Sequence, residues 1–210
     1  TIADLEELSI KDRQNYMGQG YAAGVNKFEE DSAEGRAAKE EIKDINYMVY
    51  VASQEVLVKE KGWNPIVDYK KYIVGPEDKY PKVRELYQAG LTWSLVSFET
   101  YYKRLGTKFD AYYPESWVGE VGLTVVEDGL KKGILELGEE GAVVYHGEKD
   151  GLHTRVFRNK LGLPTYEAKD LGLVKAKFSQ FKFDYSLNIF GKEIDEYYKV
   201  VKRVMEQIEP

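Results

Sequence analysis

Tyr166 and Asp170 stand four residues apart in the segment Gly162-Leu-Pro-Thr-Tyr-Glu-Ala-Lys-Asp-Leu-Gly172. On a helix that spacing is close to one turn, so the phenol and the carboxylate share a face. Pro164 sets the point before which the helix does not begin. A flat, donor-rich cation such as guanidinium suits such a face. Carboxylates accept its parallel N–H pairs, and a phenol adds a hydrogen bond or a stacking edge. On pattern alone, Asp170 and the more distant Glu115 also read as ordinary helix-end acids facing solvent.

Other groupings carry less chemistry. Gly18-Gln-Gly20-Tyr-Ala-Ala-Gly24 resembles a dinucleotide loop, but its last spacing is one residue too long and no strand precedes it. It reads better as a helix face kept small so that a neighbour packs closely. His146 and His153 flank Asp150 in a loop-rich stretch. Two solvated loop histidines fit that context better than a metal site. The acids of Glu29–Asp31 and Glu139–Glu140 read as solvated faces.

Positioning such residues needs a folded chain, and the composition provides for one. The 210 residues are 43% hydrophobic and include 17 tyrosines, enough to build a core. The net charge of -6 disfavours a surface that clings to nucleic acid throughout, and DNA is not an expected partner. The absence of cysteine excludes disulfides and thiolate metal sites and fits a reducing, cytoplasmic setting. No apolar run spans a bilayer, so no membrane partner is expected. The first residue is Thr1 rather than Met, which reads as a processed chain or an excised piece.

Apolar periodicity predicts helices over residues 3–31, 33–60 and 81–105, with Ser32 as an N-cap and Gly106 as a C-cap. A short helical turn is expected near Asp68–Ile73. The second half alternates. Strands are expected at 108–113, 134–137, 142–145, 154–157 and 187–190. Helices are expected from Ser116 to Leu130, over 166–178 and over 193–207. The organisation expected is a largely helical region, 1–106, followed by an α/β region, 107–210.

Four segments of that second region resemble the catalytic domain of arginyl-tRNA synthetases, class I aminoacyl-tRNA ligases. Phe109-Asp-Ala-Tyr-Tyr-Pro-Glu-Ser-Trp-Val118 resembles the family's "F-D-x-Y-x-x-E-S" segment. Gly133-Ile-Leu-Glu with Gly141-Ala-Val-Val-Tyr145 resembles a strand pair. Arg155-Val-Phe-Arg-Asn and Gly162–Gly172 resemble the "P-T-Y-x-x-x-D" region. Ile189-Phe-Gly-Lys-Glu-Ile-Asp-Glu-Tyr197 resembles the "V-G-x-E-x-x-x-Y" turn. Their order and spacing match together. The helical first half resembles the preceding insertion more loosely. The family's "H-x-G-H" motif and "K-M-S-K" loop have no counterpart in these residues, and Ile194 stands where many members carry His.

The resemblance implies an α/β class fold, a partial Rossmann-like nucleotide-binding fold with a helical insertion. It implies an internal fragment of an enzyme that ligates arginine to tRNA-Arg through arginyl-adenylate, using ATP, with Mg2+ accompanying the ATP. It places arginine at Glu115, Tyr166, Asp170 and either Lys192 or Glu193. It places the adenosine side at Gly191 and Tyr197. No residue of the chain is implied as catalytic and no metal as bound by it, so the piece alone is expected to be inactive. The alternative is a non-catalytic module that binds arginine or an arginine-bearing peptide.

Overall fold

The computed structural model describes residues 1–76 and 78–209, and the chain divides into two compact units, Thr1–Asn64 with Asp68–Ala111, and Pro65–Val67 with Tyr112–Pro210.

The first unit is helical. It contains α1 (Ile2–Glu6), α2 (Ile10–Glu29), α3 (Ala33–Lys61), a 3-10 turn (Tyr69–Tyr72) and α4 (Lys79–Leu105). The single helix expected over 3–31 is broken in two. Ser9 causes the break: it takes extended backbone and its hydroxyl accepts from the Asp12 amide, which starts a new helix there. Ser32 caps α3 through the Gly35 amide at 2.9 Å, and Gly62 and Gly106 end α3 and α4 in left-handed backbone. The buried residues of α3 are mostly apolar and include Tyr47, Met48, Val51, Ala52 and Leu57. Asp44 accepts from the amides of Val74 and Gly75 at 2.7 and 3.0 Å, fixing the loop that precedes α4. Gly18, Gly20 and Gly24 are not a close-packing face. A methyl group built on any of them meets no atom within 4 Å.

The second unit carries α5 (Glu115–Lys131), strands β1 (Glu136–Leu137), β2 (Val143–Tyr145) and β3 (Arg155–Arg158), α6 (Tyr166–Gln180) and α7 (Asp195–Ile208). Among the described residues the strands form one antiparallel sheet in the order β1-β2-β3, with a bulge at Val143/Val144. The Rossmann-like expectation called for parallel pairing, and this sheet differs from it. Its strands are consecutive and joined by short connections, and such connections permit antiparallel pairing only, because parallel neighbours need a crossover of a dozen residues or more. The segments expected as further strands, 108–113 and 187–190, are irregular and belong to no sheet among the described residues. Leu187 is 86% and Ile189 92% exposed, so no neighbouring strand covers them.

α5 begins at Glu115, one residue before the expected cap Ser116, because the Pro114 carbonyl already accepts from the Trp117 and Val118 amides. The core joins Val125 and Val126 of α5, Val143 and Tyr145 of β2, Phe157 of β3, Leu171 of α6 and Val200 and Val204 of α7. The α5–α6 crossing is unusually close. A methyl group on Gly122 would stand 1.9 Å from the Ala168 carbonyl oxygen, and one on Gly172 would stand 1.9 Å from the Val118 oxygen. Glycine at both positions is what lets the two backbones touch.

Candidate functional site

The close crossing brings the first turn of α5 against the first turns of α6. Thr165 fixes where α6 starts: its hydroxyl donates to the carbonyls of Val156 and Phe157 at 2.7 and 3.1 Å, tying the helix to β3. The Asn159 side chain accepts from the Leu161 and Leu163 amides and shapes the preceding turn. Tyr166 is therefore the first residue of α6, with Asp170 one turn on.

Glu115 opens α5 and reaches Lys169 of α6, Oε2 to Nζ 2.6 Å. The same ammonium lies 4.9 Å from the Tyr166 ring centroid. Glu115, Lys169 and Tyr166 thus form one chain of contacts. Tyr166 is 68% exposed.

Asp170 is half-buried. Its Oδ2 accepts from the Tyr197 hydroxyl of α7. Burial raises its pKa above the ordinary aspartate value, and the Glu115 charge raises it further. The Tyr197 hydrogen bond and the Lys177 ammonium pull the other way. Burial also raises the Tyr197 phenol well above its ordinary range, helped by its bond to Asp170. Arg155 of β3 lies near the Tyr197 ring. Its guanidinium carbon is 5.8 Å from the Tyr197 ring centroid and its Nη1 is 3.9 Å from a carboxylate oxygen of the buried Glu167. The Arg155 Nε is buried with no hydrogen-bond partner among the described residues.

Lys169 thus contacts both Glu115 and Tyr166, while Asp170 feels the Glu115 charge and bonds to Tyr197, which had been expected on the adenosine side. Glu193 and Lys192 lie in an exposed 3-10 turn, Lys192–Ile194, just before α7. The Glu193 carboxylate folds over Gly191, where a methyl group would meet Oε1 at 2.2 Å. The residues missed from the sequence are Lys169 and Arg155. Lys169 follows Tyr166 by three positions, a helical-face spacing that signals contact. Arg155 sits on a strand in a different part of the sequence and carries no comparable signal.

His146 and His153 are exposed, and His146 Nδ1 lies 3.4 Å from the Thr154 hydroxyl. Among the described residues no group of three or more histidine or acidic side chains is arranged to hold a metal ion. No helix there is long and apolar enough to cross a membrane.

No protein-family model matches the chain. Curated relatives do. An arginine–tRNA ligase of Parabacteroides distasonis is 28% identical over 127 residues, 60% of this chain and 21% of the relative. One of Flavobacterium psychrophilum is 28% identical over 145 residues, 68% of this chain and 24% of the relative. A solved structure of a candidate arginyl-tRNA synthetase from Campylobacter jejuni superposes with a TM-score of 0.51 at 19% identity, over 77% of this chain and 39% of that one. That likeness concerns the fold. The chain spans between a fifth and a quarter of the length of these curated relatives. The chain is thus similar in sequence to one segment of these arginine–tRNA ligases, and in fold to part of the Campylobacter jejuni structure.

Proposed function

We propose that the patch formed by Glu115, Tyr166 and Asp170 receives the guanidinium of arginine within an arginine–tRNA ligase. One observation carries this reading. Asp170 is a half-buried carboxylate with a raised pKa, and among the described residues no lysine or arginine pairs with it at salt-bridge distance. A desolvated carboxylate is costly unless a cation joins it. Guanidinium would supply that cation with two parallel N–H donors, and Tyr166 would offer its exposed ring. Lys169 already neutralises Glu115, so an incoming guanidinium shares or displaces that ammonium.

In the whole enzyme, the arginine carboxylate oxygen attacks the α-phosphorus of ATP. The bond to the bridging oxygen breaks and pyrophosphate leaves, giving arginyl-adenylate. The arginyl group then passes to a terminal ribose hydroxyl of tRNA-Arg, releasing AMP. This chain's share is to hold arginine in position, the kind of contribution that converts binding into proximity. ATP, with Mg2+, is read as approaching Gly191, where the backbone turns into α7. We read the second unit as part of a larger Rossmann-like nucleotide-binding fold, a reading supported by its sequence similarity to one segment of arginine–tRNA ligases. Glu193 is read as the last arginine contact because its carboxylate lies over the same turn.

Calorimetric titration of arginine into the chain tests the proposal. Saturable binding is expected, weakened roughly tenfold or more by Asp170→Asn and by Glu115→Gln, as befits hydrogen bonds to charged groups. Undiminished binding by both folded variants refutes it.

A further inference from the structure

We propose that Tyr197 is a positioning residue for the arginine-binding carboxylate: its phenol holds Oδ2 of Asp170 and leaves Oδ1 to meet the guanidinium. The inference rests on the arginine reading of Asp170 and moves Tyr197 from the adenosine side of the site to the arginine side.

The geometry is specific. Tyr197 lies on the first turns of α7 and Asp170 on the second turn of α6, and the phenol–carboxylate bond links the two helices at the site. Both side chains are half-buried, so the bond exchanges little with water. Among the described residues Asp170 has no other side-chain hydrogen-bond partner. A carboxylate free to rotate about its χ2 would offer guanidinium a spread of orientations. One fixed by a donor on a single oxygen presents the other in one direction, and a charge-assisted hydrogen bond depends on direction. Arg155 lies near Tyr197, with its guanidinium carbon 5.8 Å from the ring centroid and its own carboxylate contact on Glu167. Asp170 is thus backed by a row of groups from three elements, Asp170–Tyr197–Arg155–Glu167.

The groups that face Asp170 are the Tyr197 and Tyr198 phenols of α7, Glu115 of α5 and Lys177 of α6, while Arg155 and Glu167 act on Tyr197. Of these, burial and Glu115 raise the Asp170 pKa, and the Tyr197 bond and Lys177 lower it. Removing the Tyr197 hydroxyl therefore raises it further. Arginine binding requires the ionised carboxylate, so the pH below which binding fails moves upward.

The experiment is arginine titration of the chain, followed by calorimetry from pH 4 to 8, for the parent, Tyr197→Phe, Asp170→Asn and, as control, Tyr101→Phe at an exposed tyrosine of α4. Tyr197→Phe is expected to bind about tenfold more weakly at neutral pH, the scale of one hydrogen bond to a charged group. Its acid midpoint is expected to rise, while Tyr101→Phe retains both parental values. A plain loss of packing would weaken binding without moving the midpoint, and that result overturns the inference. So does Tyr197→Phe binding like the parent while Asp170→Asn does not, an outcome that leaves the arginine reading standing. Normal arginine binding by folded Asp170→Asn removes the arginine reading and this inference with it. Should Tyr197→Phe fail to fold, 3-fluorotyrosine at position 197 keeps the ring and makes the phenol a stronger donor. The acid midpoint is then expected to fall, and an unmoved midpoint overturns the inference.

Discussion

Gly172→Ala is the sharpest test of how this fold builds its site. Alanine is the better helix former, by roughly 0.5–1 kcal/mol within a helix. Propensity alone would make the variant more stable. The structure predicts the reverse. The added methyl carbon would lie 1.9 Å from the Val118 carbonyl oxygen and 2.5 Å from the Gly122 nitrogen. Both are backbone atoms of α5, so no side chain can swing aside. Reaching ordinary contact requires α5 and α6 to part by about 1.5 Å, which forfeits much of the attraction across the crossing. Overpacking of this kind costs on the order of 1–3 kcal/mol, more than the propensity gain returns. The parted helices also carry Glu115 away from Lys169, now 2.6 Å apart. Hydrogen exchange read by mass spectrometry is the assay, because it reports each region separately. Faster exchange in α5 and α6 is expected, with weakened arginine binding. Gly20→Ala in α2 is the internal control, since nothing lies within 4 Å of its methyl and slower local exchange is expected there. Unchanged or slower exchange in α5 and α6 of Gly172→Ala would refute the close-crossing argument.

Three further outcomes are expected. Because the folded pKa of Asp170 is raised, its ionisation works against the fold: the contribution is fully favourable below the ordinary aspartate value of 3.8 and fades as pH rises through the folded value. Asp170→Asn should therefore match or exceed the parent in stability at neutral pH while binding arginine poorly, and urea unfolding at pH 4 and pH 7 that shows a large loss at pH 7 contradicts this. Tyr145 is fully buried with its hydroxyl donating to Asp150 and accepting from Gln207 Nε2 at 3.1 Å. Tyr145→Phe should cost about 1 kcal/mol in denaturant unfolding, and an unmoved midpoint counts against that network. Brief chymotrypsin digestion should cut first between Tyr185 and Phe190, where Tyr185 is 93% exposed and no ladder protects the backbone. A first cut within α5 or β2 would contradict the placement of that segment.

The parts of this molecule that the sequence disclosed are those governed by local chemistry. Ser32 and Gly106 signalled helix ends because caps need particular side chains or left-handed backbone. The Tyr166–Asp170 pair was legible because helical spacing alone places two residues on one face. What stayed hidden depends on partners distant along the chain. Nothing local in 108–113 or 187–190 reveals whether a neighbouring strand exists, so alternation suggested strands where the structure has irregular chain. Gly18 and Gly20 looked like a packing face and are open, while Gly122 and Gly172 sit inside helices without a sequence signal and make the closest crossing in the second unit. A glycine's use depends on what approaches it, which composition does not encode. The bond from Tyr197 to Asp170 was invisible for the same reason, although both residues had been singled out separately.

The central claim is that a pair of carboxylates and a tyrosine edge select a guanidinium. Comparing arginine with citrulline on the parent chain measures this directly, because citrulline replaces the charged guanidinium with a neutral urea group of similar shape. Saturable arginine binding at neutral pH with citrulline at least tenfold weaker is the outcome predicted from charge-assisted pairing. Equal affinity for the two ligands would contradict it.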